Sequence, residues 1–430
     1  VKNEAIEAPV EEEIRTTLVE NAPKAGKIRK TAYNEILGTT EWTLSNGVRV
    51  IVKPTEFKQD EILFYATSLG GYSQVKTEDL PSALLATDVV ELAGLADMNV
   101  TDLQKALTGK RVSLSPSIGG NSESLSGSST VKDLETLLQL NYLYFTAPRR
   151  DEESYQTLMS ILESQLANRD KNPKVAFNDS IQMMTSNNSE RTVIFTKKLL
   201  EKVSLDKALE VYKARFANPA DFTFFFVGNV NPEDAAFKAQ VCQWLGGLKA
   251  NKKKEKVVDH QVRVPLGKQQ NYFTQKMEIK TASNRIQYTS YNMPYTLAND
   301  LNMEMIGRIL STRYLESIRE REGGSYGVGC AGWMNIRPVP SAVLIMQFDT
   351  DPEKQTKLMG IIHEEVMTIV KNGPLAKDLN KEKEAMLKDF EENLEKNGYW
   401  LDALDSHYIN GINYIADYKA AVEAITAETV

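Results

Sequence analysis

One order of predicted elements occurs twice along the chain, and this repeat constrains the fold more than any other feature. Each copy reads strand, strand, helix, strand, strand, helix, helix, and the two copies are offset by about 220 residues. Short strands mixed with amphipathic helices in this order favour the α+β class, with helices on one face of a mainly antiparallel sheet. We therefore predict two homologous α+β modules that arose by internal duplication.

The first copy begins with a predicted hairpin. Asn46-Gly47 is a typical two-residue turn, and Val48, Val50 and Val52 alternate on one face of the strand that follows. The copy ends with a buried aromatic strand that covers residues 222–228.

The second copy follows the same plan. Its strands are predicted at residues 272–279, 286–291, 325–333 and 342–348. Asp351-Pro352 supplies the N-cap and the first position of a helix. No counterpart of the aromatic strand closes this copy, and the chain begins at Val1 without an initiator Met or a signal peptide. We therefore expect a processed chain or a piece of a longer one.

The chain divides into four predicted segments. They are a polar connector at 1–38, the first module at 39–250, a linker at 251–266 and the second module at 267–430. The connector carries few large apolar side chains, and the linker contains the basic cluster Lys252-Lys253-Lys254. Both compositions are typical of solvated segments.

Charge and hydropathy argue against two classes of partner. The 430 residues carry 51 Lys and Arg against 58 Asp and Glu, a net charge of −7, which disfavours nucleic acid. No apolar run reaches the roughly 18 residues of a membrane-spanning helix, so no span is expected. Cys242 and Cys330 lie far apart and form neither a CxxC motif nor a disulfide framework.

The strongest candidate site lies near residue 320. A helix is predicted to end at Arg319, Gly323-Gly324 breaks it, and a strand starts near Tyr326. A guanidinium and a phenol brought together at this break can bind a carbonyl oxygen or a developing oxyanion. We predict Arg319 and Tyr326 as catalytic residues that bind substrate, with Gly323, Gly324 and Ser325 as further substrate-binding residues.

Both side chains also have ordinary structural interpretations. An Arg in the last turn of a helix interacts favourably with the helix dipole by about 0.3–1 kcal/mol, and Tyr is common in strands. No nucleophile, general base or metal ligand flanks the pair in the sequence. The segment therefore has the composition of half an active site.

The histidines do not predict a metal site. The chain has three, His260, His363 and His407, and none lies within one helical turn of another. In the stretch from His363 to Met367, H-E-x-x-H would need a second His where Met stands. We interpret His363 as a solvated residue on a helix face, because zinc needs three protein ligands.

Five stretches together resemble the pitrilysin (insulinase, M16) family of zinc metallopeptidases. They lie at residues 42–52, 127–140, 144–149, 216–228 and 319–326. The likeness is to the C-terminal half of the large bacterial members. In that family, four α+β modules form two halves that close like a clamshell around a peptide. The resemblance implies that this chain is one such half.

The resemblance also implies where the chemistry lies. The family binds zinc through H-x-x-E-H and a distal Glu on its N-terminal half, and its C-terminal half contributes an Arg and a Tyr at the spacing of Arg319 and Tyr326. An overlay places Asp88-Val-Val-Glu91-Leu92 at the motif and Glu163 at the distal ligand, so both imidazoles are missing. This chain is expected to hold no metal, with zinc on an N-terminal half.

The implied function is the substrate-gripping half of a zinc endopeptidase. Its implied partners are an H-x-x-E-H half, in the same polypeptide or as a partner subunit, and a peptide substrate, in the bacterial periplasm. The alternative is a non-catalytic peptide-binding or structural core subunit of an M16-like complex. No group of residues supports an independent enzyme of other chemistry.

Overall fold

The computed structural model describes residues 15–275, 278, 280–323 and 327–430. In this part of the chain, ten strands form two sheets. The strands are β1 (Ile28–Asn34), β2 (Thr39–Leu44), β3 (Arg49–Pro54), β4 (Ile62–Leu69), β5 (Val112–Ile118), β6 (Ser122–Ser129), β7 (Thr223–Gly228), β8 (Ala282–Ser290), β9 (Gly329–Asn335) and β10 (Ser341–Thr350).

The same residues form fourteen α-helices. They are α1 (Leu80–Ala83), α2 (Ala86–Ala93), α3 (Val100–Ala106), α4 (Leu134–Thr146), α5 (Glu152–Ala167), α6 (Pro173–Thr185), α7 (Lys197–Leu200), α8 (Leu205–Arg215), α9 (Ala235–Trp244), α10 (Leu297–Tyr314), α11 (Gln355–Asn372), α12 (Ala376–Asn393), α13 (Asn397–Asn410) and α14 (Tyr418–Glu423). Within these bounds, no helix combines the length and the apolarity needed to cross a membrane.

The first sheet has seven strands in the order β1-β2-β3-β7-β4-β6-β5. Neighbouring strands are antiparallel except for β3 and β7, which are parallel. The chain passes through α1 to α8 before β7 enters the sheet, and a parallel pair needs a crossover of this kind. Every residue of β7 is buried, which suits a central strand that is apolar on both faces.

Alternation along the strands directs one face of this sheet towards the helices of the first module. Val50 and Val52 of β3, Phe64 of β4, and Phe224 and Phe226 of β7 are fully buried in one cluster. The rings of Phe64 and Phe226 lie 5.2 Å apart, edge to face. Aromatic side chains bury more apolar area than other residues, so these rings form the centre of the first core.

The second sheet has the order β8-β10-β9, and both pairs of strands are antiparallel. Tyr314 at the end of α10 and Ile362 of α11 pack against Leu344 and Met346 of β10. The order repeats β4-β6-β5 of the first sheet. The α+β class predicted from the sequence is therefore present in the fold, and the three strands of the second sheet have the order of three neighbouring strands of the first.

A helix of the second module covers the other face of the first sheet. Trp400 and Leu404 of α13 form a cluster with Ile51 of β3 and with Phe225 and Val227 of β7. We predicted helices on one face of each sheet. The first sheet has helices on both faces, because α13, which is distant in the sequence, packs on the second face.

Polar contacts surround this apolar cluster. Thr55 at the end of β3 hydrogen-bonds to the Asn397 side chain at 2.5 Å. The ammonium group of Lys53 lies 3.8 Å from the centre of the Trp400 ring, a cation–π contact that favours this position of α13. Burial lowers the pKa of Lys53.

Two segments differ from the sequence predictions. Strand β1 lies inside the predicted connector, where it pairs with β2 through its backbone. Its side chains are mostly exposed, so the sequence there lacks the apolar alternation that predicts a strand. The strand predicted at 272–279 is wrong for the described residues 272–275 and 278, which are not in a strand. Tyr272 is 69% exposed and therefore does not face a core.

The predicted linker at 251–266 has no regular secondary structure, but it lies along the first module. Arg215 of α8 pairs with Glu255 at 2.6 Å. The N–H of Val258 donates a hydrogen bond to the Ser73 hydroxyl at 3.0 Å. These contacts hold the linker against the module that precedes it.

Replacing Leu404 by Ala should destabilise the protein by about 2–5 kcal/mol, because a buried Leu leaves a cavity when it is truncated. Leu404 is 0% exposed, whereas Leu401 on the same helix is only partly buried. Leu401→Ala is therefore the matched control and should cost clearly less. Urea denaturation followed by tryptophan fluorescence measures both, and equal losses would contradict a central role for the α13 contact.

Candidate functional site

Arg319 lies on a π-helical turn. α10 ends at Tyr314, and the chain continues as a π-helix over Leu315–Arg321. Tyr314 and Ile318 are fully buried, and the Tyr314 hydroxyl donates to the carbonyl oxygen of Ile362 at 3.0 Å. The π-helical turns of proteins are rare and frequently lie at functional sites, so this segment is the first candidate.

Ion pairs fix both ends of the π-helix. Arg313 contacts Glu316 at 2.8 Å and Glu365 of α11 at 3.3 Å. Beyond the last turn, Glu322 accepts a hydrogen bond from Lys357 of α11 at 2.5 Å, and this bond lowers the pKa of Glu322. The segment that carries Arg319 is therefore held against α11 on both sides.

The Arg319 side chain is exposed. Arg313 and Arg321 on the same segment pair with carboxylates, whereas Arg319 forms no ion pair with a described residue. Gly323 has φ +57° and donates its N–H to the Arg319 carbonyl oxygen at 3.2 Å, a helix-ending geometry that suits glycine. The other predicted site residues, Gly324, Ser325 and Tyr326, lie outside the described residues.

Two of the four edge strands, β5 and β9, are poorly suited to binding a peptide by strand addition. Along β9, the Met334 N–H donates to Asp300 Oδ1 at 2.9 Å, and the Cys330 carbonyl accepts from Ser311 at 3.2 Å. Edge strand β5 contains Pro116, which has no N–H to offer. Strand addition needs a row of free backbone groups. That row is interrupted on β5 and on β9.

The residues at the overlaid zinc motif do not fit a zinc site. Asp88 is exposed and Glu91 is half-buried on α2, next to half-buried Leu92, and Glu163 of α5 is exposed. The surrounding protein partly removes water from both carboxyls, Asp88 included despite its exposed surface, and this desolvation raises the pKa of Asp88 and of Glu91. Among the described residues, no group of three or more His, Cys, Asp or Glu is placed to hold a metal ion. The first module therefore has carboxylates at this position but no imidazole ligand.

The three histidines lie on separate elements. His260 of the linker contacts the Ser73 carbonyl oxygen through Nε2 at 2.8 Å. His363 is exposed on α11, and its Nδ1 lies 2.8 Å from the Tyr288 hydroxyl. His407 belongs to α13. The three imidazoles lie on the linker, α11 and α13 and contact different neighbours, so the fold does not bring them together as a metal site.

A buried charged triad lies between β6, α8 and the linker. Glu123 is 1% exposed; its Oε2 accepts a hydrogen bond from the Gly71 N–H at 2.7 Å and lies 3.8 Å from Arg215. Burial raises the pKa of Glu123 to about 7. Burial also opposes ionisation of Glu255, but the hydrogen bond from Arg215 outweighs it and lowers the pKa of Glu255. The triad anchors the linker.

This triad was not predicted from the sequence. In the serine-rich strand β6, Glu123 and Leu125 occupy alternate positions and both are buried. A single acid on the inward face of a strand predicts a buried charge, and a buried charge rarely lacks a partner. This signal in the sequence could have indicated the triad. Arg215, in the last turn of α8, looks like an ordinary helix-end cation.

Comparisons with known proteins agree with the resemblance. Residues 202–386 match the family model described as the peptidase M16 inactive domain. The Arabidopsis thaliana protein named zinc protease PQQL-like is 25% identical to this chain over 99% of the chain and 43% of its own length. The chain spans less than half the length of the curated relatives that it matches.

Two solved structures from Escherichia coli have the same fold. The periplasmic protease PqqL superposes with a TM-score of 0.83 at 19% identity, over 99% of this chain and 47% of that protein. The first half of PqqL superposes with a TM-score of 0.68 at 13% identity, over 95% of this chain and 89% of that half. The fold of this chain is therefore that of one clamshell half.

Glu123→Gln should flatten the pH dependence of stability. Folding raises the pKa of Glu123 from 4.5 to about 7, so its stabilising contribution is full below pH 4.5 and is lost as the pH rises through 7. A shift of this size corresponds to a loss on the order of 3 kcal/mol. Denaturant titrations between about pH 4 and pH 8 should show this loss in the parent protein and a smaller one in the variant.

The exposed residue Glu163 provides the control for this titration. Glu163→Gln makes the same substitution at an exposed position of α5 and controls for the effect of the substitution itself. Equal slopes in the parent protein and in Glu123→Gln would show that Glu123 does not carry the effect.

Proposed function

Because the chain belongs to the M16 peptidase family, we propose that it is the half of a zinc endopeptidase that binds and orients the peptide opposite a zinc site on a separate half. The match of 99% of this chain to 47% of a protease carries the proposal. Zinc hydrolysis needs three protein ligands, and the described residues of this chain offer no such group. The expected partner is an H-x-x-E-H half, in the same polypeptide or as a partner subunit.

Arg319 is proposed as the main substrate donor of this half. Its guanidinium offers several N–H groups in a rigid fork, is exposed and forms no ion pair with a described residue. Closure of two halves around a peptide expels water, which strengthens a hydrogen bond to a carbonyl oxygen or an oxyanion. The anchored π-helix supports this role, because a fixed donor needs little reorganisation when charge develops.

Tyr326 is proposed as the second donor, seven positions after Arg319. Its phenolic O–H can donate to the same oxygen or to the peptide backbone. Gly323, Gly324 and Ser325 between them have little or no side chain, so the peptide can approach their backbone closely. The left-handed φ of Gly323 supports a sharp break after the helix.

The interrupted edges of β5 and β9 support a division of labour between the halves. A peptide that does not add as a strand to β5 or β9 would be aligned through its main chain by the zinc half. This chain then contributes side-chain donors to an already aligned peptide. Such a contribution favours the transition state more than the initial binding of the substrate.

We also propose an extracytoplasmic location in a bacterium. The support is the Escherichia coli relative, which is described as a periplasmic protease. Fractionation of cells, followed by detection of this chain in the periplasmic fraction, tests the location separately from the activity.

Arg319→Ala in the assembled two-half enzyme should lower kcat by about 100- to 1000-fold, the usual effect of removing one oxyanion donor. Zinc content should not change, because Arg319 is proposed to bind substrate and not the metal. Arg321→Ala is the matched control on the same π-helix, since Arg321 pairs with Glu322 and is not proposed to touch substrate. A similar fall in kcat for both variants would remove Arg319 from the reaction.

Tyr326→Phe removes only the phenolic oxygen and keeps the ring. Peptide hydrolysis by the assembled enzyme should fall strongly in kcat with little change in KM, because the hydroxyl is proposed to act in the transition state. Zinc analysis of the same sample serves as the control for assembly. An unaltered kcat would exclude Tyr326 from the mechanism.

The second candidate function is a non-catalytic peptide-binding or structural core subunit. The observation that favours it is the description of the matched family model as an inactive domain. Sequencing the reading frame upstream of the codon for Val1, and the neighbouring genes, separates the two functions. An H-x-x-E-H motif with a downstream Glu supports the endopeptidase half, and no such motif in either place supports the structural subunit.

A further inference from the structure

A cleft of about 320 Å³ lies where the first module, the linker and the second module meet. Its walls come from the turn after β4, from α1 and the residue after it, from the β5–β6 turn, from the segment between α6 and α7, from the linker and from the β9–β10 turn. Most of the wall is apolar, with contributions from Leu84, Val193, Val258, Val262 and Pro338. This volume is at the lower end of the range for small-molecule sites.

Arg191 places a cation in this cleft. Its Nη1 donates to the Val75 carbonyl at 2.9 Å and to the Thr77 hydroxyl at 3.1 Å, and its Nη2 donates to the Tyr72 carbonyl at 2.8 Å. These bonds hold the guanidinium in one orientation. A guanidinium has five N–H groups, so the Nε–H and one Nη2–H remain for a ligand.

The cation has no neutralising carboxylate among the described residues of the cleft. Asp259 also lines the cleft, but Arg263 binds both of its oxygens, at 2.9 and 2.5 Å. Burial lowers the pKa of Arg191, as expected when a partly buried charge lacks a counter-ion. A ligand that brings a carboxylate would supply the missing charge and could accept both remaining N–H groups.

His260 adds a hydrogen-bond acceptor on the linker side. Its Nε2 lies 2.8 Å from the Ser73 carbonyl oxygen, so Nε2 carries the proton and donates. In the neutral imidazole, Nδ1 is then an acceptor. The cleft therefore offers a fixed cation, an acceptor for an N–H group and an apolar wall.

We propose that this cleft binds an N-acylated amino acid with an apolar side chain and a free carboxylate, which is the chemistry of the C-terminal residue of a peptide. The carboxylate binds Arg191, the amide N–H faces His260, and the side chain packs on the apolar wall. Because the walls come from both modules and from the linker, the ligand also ties these parts together. The site consists of this chain alone, so it does not depend on a zinc half.

Isothermal titration calorimetry on the chain of 430 residues tests the proposal with N-acetyl-leucine as the probe. N-acetyl-leucine should bind at least tenfold more tightly than N-acetyl-leucinamide, which has the same side chain and no carboxylate. A pentapeptide that ends in Leu with a free C-terminus should bind, and its C-terminally amidated form should not. Tighter binding of the free pentapeptide than of N-acetyl-leucine identifies a peptide end as the ligand, and equal binding identifies the single N-acyl residue.

Two variants locate the site. Arg191→Gln should weaken N-acetyl-leucine binding at least tenfold, whereas the control Arg150→Gln, which removes an exposed Arg that pairs with Asp206, should not. Val258→Trp fills the cleft from an exposed linker position and leaves Arg191 in place, so it should also abolish binding. Thermal melting shows which variants are folded.

The proposal is overturned by any of three results. These are no heat of binding for N-acetyl-leucine at millimolar concentration, equal affinities for the acid and the amide, or full binding by folded Val258→Trp. If Arg191→Gln fails to fold, Val258→Trp and the amide comparison decide the question without it.

Discussion

The packing of α13 against the first sheet is the contact on which the arrangement of the two modules depends. Trp400 and Leu404 cover Ile51, Phe225 and Val227 on a sheet face that the first module's own helices do not reach. Burying a large apolar side chain contributes roughly 1.5–3 kcal/mol, so this face is costly to expose to water. Separating the modules would expose this face of the first sheet and the apolar side of α13, so the pair is expected to behave as one unit.

This constraint explains how groups that are distant in the sequence come to share one region. With α13 on the first sheet, the β9–β10 turn of the second module contributes to a cleft that also contains Arg191 of the first. The linker completes the arrangement because Arg215 and Val258 hold it to the first module. The π-helix gains its rigidity separately, from Tyr314 and the ion pairs to α11.

The proposed division of chemistry between two halves has a physical reason. Hydrolysis by zinc needs imidazole or carboxylate ligands in a fixed geometry, and the described residues place no group of three or more His, Cys, Asp or Glu to hold a metal ion. A guanidinium such as that of Arg319 can stabilise developing charge but cannot generate a nucleophile. In the proposed function, this chain therefore contributes substrate donors, and a second half supplies the zinc chemistry.

By itself, the sequence determined the α+β class and several of the strands, because these depend on local periodicity. The alternation of Val50 and Val52 on β3 is an example. It also marked Arg319 and the glycine break, since chain order alone sets their spacing. Only the tertiary structure decided the second layer from α13, the polar strand β1, the buried acid Glu123 and the cation Arg191 in its cleft. Each of these depends on contacts between residues far apart in the chain, which local patterns do not record.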